Sequence, residues 1–137
     1  MNINVKTIPH NDHRYPTLGD YWFTGDDKQK NGGDLEVRVS DTGDWRMDFL
    51  IAVHEMVEVV LLKNKGVAEP DIMAFDQMFE KEREQGLHTQ DDEPGDDPRA
   101  PYLSEHRFAE NIERQIALAL GITWDQYADA IAELEGD

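Results

Sequence analysis

Residues 49 to 62, FLIAVHEMVEVVLL, are apolar at every position except His54, Glu55 and Glu58. A run of this length and composition fits a helix held inside a fold, and it carries an imidazole and two carboxylates in with it. An ionised carboxylate buried without a partner costs several kcal/mol. Whatever fold forms must therefore give these three groups hydrogen bonds, opposing charge or a metal ion.

Asp44 is placed to cap the helix and Gly66 to end it, which predicts a helix over 45–64. His54 and Glu58 are four apart and share one face, with Leu50, Ile51, Val57 and Leu61 around them. The opposite stripe of Trp45, Phe49, Ala52, Met56, Val59 and Val60 is apolar too, so the helix reads as buried nearly all round.

Before it, NINVKTI and DLEVRVS alternate with period two, the pattern of half-buried strands, and they are expected to pair as an antiparallel ribbon. The long segment between them carries Tyr15, Tyr21, Trp22 and Phe23 and is expected to be functional or to hide a third strand around DYWFTG. After Gly66, Pro70 suits a first helical turn, with Ile72, Phe75, Met78 and Phe79 as the apolar stripe. HTQDDEPGDDPRAP is a breaker-rich acidic loop. A third helix is expected over 104–120, with Phe108, Ile112, Ile116 and Ala119 on its core side and Gly121 as its stop. A fourth opens at the Thr-x-x-Gln capping box TWDQ and docks through Tyr127, Ile131 and Leu134. The fold class is thus α+β: a small N-terminal β-ribbon or sheet followed by about four helices. One domain over 1–137 is expected, with strands and loop in 1–43 and helices in 44–137.

The chain has no cysteine, so any metal must take His, Asp or Glu. Its 30 acidic and 13 basic residues give a formal charge of -17, spread along the sequence, which argues against a nucleic-acid partner. No secretion signal and no apolar span of membrane length is read, so a soluble cytoplasmic protein without a membrane partner is expected. The partner would be a substrate or a protein that the sequence does not identify, and the oligomeric state is equally open.

The segment HEMVE resembles the His-Glu-x-x-His helix of zincin-like metallopeptidases, with Glu58 where the second histidine would be. The resemblance implies His54 as a metal ligand, Glu55 as the general base that activates water, and Glu58 as a carboxylate ligand. On the third helix His106, Glu110 and Glu113 share a face at i, i+4 and i+7. A His-plus-carboxylate pair from each of two helices makes His54, Glu58, His106 and Glu110 the candidate ligands, mononuclear or dinuclear. His54, Glu58 and His106 alone form a two-His, one-carboxylate set with a position left for water. Asp76 could add a ligand or orient an imidazole. A divalent ion is implied, zinc first, with manganese, iron or nickel as the other candidates.

Other readings stand beside this one. The buried trio could be a metal-free network neutralised by Arg46 or Arg107, and Glu110 could pair with Arg114 on a solvated face. His10 and His13 read as exposed polar sequence. DDEPGDDP lacks the order of a calcium-binding EF-hand loop, and neither a phosphate-cradling glycine motif nor a nucleophile elbow occurs. RVSDTGDWRMDFLIAVHEMVE, FDQMFE and PYLSEHRFAENIERQIA are together similar to small uncharacterised proteins of bacteriophages and prophages, which implies expression in the cytoplasm of an infected bacterium. Three functions are compatible with these residues. They are a metal-binding protein acting as a metal-dependent hydrolase, a non-enzymatic acidic protein-interaction module, and a magnesium-dependent nucleotide pyrophosphohydrolase using Glu55, Glu58, Asp76 and Glu80.

Overall fold

The computed structural model describes residues 1–25, 33–89 and 92–136. Positions 26–32 of the long N-terminal segment, and 90 and 91 of the acidic one, lie outside the described residues. Three strands, β1 (Ile3–Ile8), β2 (Gly19–Thr24) and β3 (Asp34–Ser40), form a sheet of order β1-β3-β2. Four helices follow: α1 (Trp45–Lys65), α2 (Glu69–Glu84), α3 (Leu103–Ala119) and α4 (Trp124–Glu135). The α+β class follows from this order, and the third strand expected around DYWFTG is β2.

The expected antiparallel ribbon is corrected. β1 lies parallel to β3, Ile3 opposite Leu35, and it is β2 that runs antiparallel, Tyr21 opposite Val37. The physical reason is chain direction: β2 takes the return path, so β3 runs the same way as β1 and pairs with both. Leu35, Val37 and Val39 on the central strand are essentially fully buried and pack with Leu50, Ile51, Ala52 and Val59 of α1. Being at the edge, β1 is not half-buried as expected, and Ile3 is 52 % exposed.

Both ends of α1 follow their local signals. The Asp44 carboxylate accepts from the Arg46 N–H at 3.0 Å, and Gly66 closes the helix at φ 84°, its N–H reaching the carbonyls of Leu62 and Lys63. That φ is left-handed, where a Cβ is strained. A Cβ at Gly66 would have no atom within 4 Å, so Gly66→Ala isolates the backbone cost. We expect it to lower the unfolding free energy by about 1 kcal/mol, read from urea titration with an unchanged slope.

The expectation that α1 is buried nearly all round does not hold. The sheet covers one side and α3 another, while Trp45, Phe49 and Val60 remain 72 %, 47 % and 47 % exposed. On α2, Ile72, Phe75 and Phe79 join Leu62, Ala100 and Tyr102 in a second apolar cluster, and Met78 turns outward. The buried face of α3 is also turned from the expected Phe108, Ile112, Ile116, Ala119 stripe. It consists of Glu105, His106, Ala109, Glu113 and Ala117, with Phe108 exposed. Fully buried Ala109 and Ala117 let the helix approach closely, and that rotation carries His106 and Glu113 inward with them. Thr123 and Gln126 form the capping box of α4 and hold Tyr127 in its first turns.

Candidate metal centre

His54 and Glu58, one turn apart on α1, meet His106 of α3. His54 Nε2 lies 3.0 Å from Glu58 Oε2 and 3.2 Å from His106 Nδ1, and that nitrogen lies 3.1 Å from the same carboxylate oxygen. The three atoms form a nearly equilateral triangle. A tetrahedral ion with bonds of about 2.0–2.1 Å would set its ligands about 3.3 Å apart. An octahedral ion with bonds of that length would set neighbours about 2.9 Å apart. The observed edges fall between these values, so the three side chains could hold one ion with little rearrangement.

Each of the three is held from outside. His54 turns Nδ1 to Glu113 Oε1 at 2.9 Å, and the other oxygen of Glu113 accepts the Tyr127 hydroxyl at 2.5 Å. Glu58 uses Oε1 to accept the Tyr21 hydroxyl at 3.0 Å. Tyr21 reaches it because its position opposite Val37 on β2 turns it to the face of the sheet that α1 covers. His106 Nε2 faces Glu93 Oε2 at 3.4 Å and Asp96 Oδ1 at 3.7 Å. Imidazoles that bind metals are oriented in this way, one nitrogen on the ion and the other turned to a carboxylate.

Charge in the cluster is strongly displaced from ordinary values. For His54, burial opposes the charged ring, but the hydrogen bonds to Glu113 and Glu58 outweigh it and raise the pKa to about 11. His106 behaves likewise: burial is overcome by Glu58 and Glu93, and its pKa rises to about 10. Burial also works against ionised Glu58, yet the two imidazoles hold it well below the usual carboxylate range. Glu55 moves the other way, pushed up by burial and by the neighbouring Glu58 charge. Without an ion, then, two ring N–H groups converge on one carboxylate oxygen. A divalent cation at that point would take the place of both protons.

The sequence candidates divide into two groups. His54, Glu58 and His106 are brought together. Glu110 is not: it is turned away and accepts from Arg114 at 3.0 Å, because the rotation that buries His106 puts Glu113, rather than Glu110, toward α1. Glu55 packs against Gly19, where a Cβ would stand 2.5 Å from Glu55 Cγ and 2.7 Å from Oε1. Asp76 accepts a hydrogen bond from Tyr102 instead of orienting an imidazole, and Glu80 pairs with Arg83. Arg46 is engaged by Asp44 at 2.8 Å and does not neutralise Glu58. His10 and His13 are half-buried, both on the Ser40 hydroxyl at 2.8 and 2.9 Å, which corrects their reading as exposed sequence.

Tyr21, Tyr127, Glu93 and Asp96 were not legible as parts of the centre. For Glu113 there was a signal, its i+7 spacing from His106. No local pattern linked Tyr21 to Glu58, since that contact exists only once α1 lies on the sheet.

Comparison with known protein families, with curated proteins and with solved structures finds no match to this chain. No helix among the described residues is long and apolar enough to cross a membrane.

Proposed function

We propose that the protein binds a divalent transition metal, zinc first, through His54, Glu58 and His106, and uses it for hydrolysis with Glu55 as general base. The observation that carries the reading is the convergence of two imidazole nitrogens and one carboxylate oxygen on a single point, with the outer nitrogen of each ring turned to a carboxylate. Two His and one carboxylate are the donor set of open catalytic sites. The ion would supply Lewis acidity that makes a water more acidic. Glu55, lifted above the usual carboxylate range beside this group, suits the transfer of a proton near neutral pH. Tyr21 and Glu113 fix the ligands. The likeness of HEMVE to metallopeptidase helices supports an acyl bond as the target.

The test is elemental analysis of protein purified without chelator, followed by zinc or manganese loading. One ion per chain is expected from the three converging ligands, and Glu55→Gln should retain it while losing any hydrolysis. Folded protein that carries no ion and takes up none would sink the proposal.

A second reading, the acidic protein-interaction module, draws support from Trp45 and Phe49 on α1 and from Phe108 and Leu118 on α3, apolar residues left 47–82 % exposed. Under it the His/Glu cluster serves folding alone, and adding metal leaves stability unchanged.

A further inference from the structure

The outer contacts of the three ligands are not alike. Those of His54 and Glu58 are hydrogen bonds of 2.9 and 3.0 Å. Those of His106 Nε2, at 3.4 and 3.7 Å, exceed the usual N–H···O range of about 2.7–3.2 Å. His106 is only 8 % exposed, and the outer nitrogen of this buried ring is aimed between two carboxylates at ion-pair distance, in a group of three side chains that could hold an ion. Separations of this size are those between neighbouring ligands of an ion with bonds of about 2.1–2.5 Å.

The chain around the ring shows how this is built. Gly95 lies in the short 3-10 turn Pro94–Asp96, close against the imidazole, and a Cβ there would stand 2.5 Å from His106 Cγ and Nδ1. The missing side chain lets Glu93 and Asp96 reach the Nε2 end together. Outside them is a cleft of about 250 Å³ lined by Phe79, His88, Asp92, Glu93, Asp96 and Asp97, which gives access from solvent.

We infer that a second divalent ion binds His106 Nε2, Glu93 and Asp96, so that the His106 ring bridges two ions, the other being held on Nδ1 with His54 and Glu58. This rests on the reading of the first site given above. As the second ion arrives, the ring gives its Nε2 proton to solvent and a nitrogen–metal bond replaces the N–H bond, with no change of oxidation state. One nitrogen with two carboxylates suits zinc, manganese or copper(II).

Copper(II) is the probe of choice, because two copper ions joined through one imidazolate couple magnetically. Full-length protein would be loaded with excess copper(II), desalted, and assayed for copper content and by electron paramagnetic resonance. Two ions per chain and a coupled, diminished signal are expected. In Glu93→Gln/Asp96→Asn one ion should remain with its full uncoupled signal, the second being weakened at least a hundredfold. Both side chains are more than half exposed, so this variant should fold. One ion in both forms overturns the second site and leaves the first standing. Two ions in both forms, or two that do not couple, overturn the bridge. No ion in either form overturns the first site and the second with it.

Discussion

Zinc affinity will rise by roughly a hundredfold for each pH unit between about 7 and 9, because binding must expel about two ring protons. The sign follows from the metal-free cluster. His54 and His106 titrate at about 11 and about 10 in the fold. A free histidine titrates near 6.5. Groups raised in this way stabilise the metal-free fold fully below about pH 6.5 and lose that contribution as pH climbs through 10 to 11. The metal-free protein should therefore weaken on the alkaline side, while the ion, taking the place of the protons, binds more tightly there. Competition against a chromophoric chelator at pH 7 and 8 reads the slope, and calorimetry in two buffers of different ionisation enthalpy counts the protons. An affinity that does not change with pH, with no protons released, would contradict the convergent triangle as the binding site.

Loss of His54 should have the largest effect of any single substitution. His54→Ala removes a ligand and also the donor to both Glu58 and Glu113, two carboxylates that are each 6 % exposed. Breaking a buried charged pair by deleting one partner costs about 3–5 kcal/mol. Tyr127 remains on Glu113, and Tyr21 and His106 remain on Glu58, which places the expected loss for the metal-free variant near the lower end. Two readouts are expected together: no zinc retained at the triangle of His54, Glu58 and His106, and a metal-free thermal midpoint below that of the metal-free parent. Retention of zinc at the triangle with unchanged affinity would remove His54 from the ligand set. Loss of zinc without loss of metal-free stability would show that the imidazole is not holding the two carboxylates in the folded state.

Half of this site is local and half is not. The spacing of His54 and Glu58 puts both on one face of any helix that includes them, and Asp44 and Gly66 mark where that helix begins and ends. The other half hangs on which way α3 is turned. Its large apolar residues, Phe108, Ile112 and Ile116, suggested one face, whereas two alanines and three ionisable residues, Glu105, His106 and Glu113, made the contact with α1. Small side chains weigh little in a hydrophobic pattern, yet they set how near two helices can come, and Ala109 and Ala117 set it here. The turn of that face is what exchanged Glu110 for Glu113.

By itself the sequence determined the α+β order, the two ends of α1 and the start of α4, the absence of thiolate ligands, and the need of His54, Glu55 and Glu58 for internal partners. Those properties depend on neighbours a few residues apart, where capping, periodicity and side-chain chemistry act without the rest of the fold. Only the tertiary structure decided that β1 and β3 run parallel, that His106 closes the triangle, and that Tyr21, Glu113 and Tyr127 brace it. Each of these joins residues on separate elements, and their meeting is fixed by packing around Val37, Leu50 and Ala117, which no local pattern encodes.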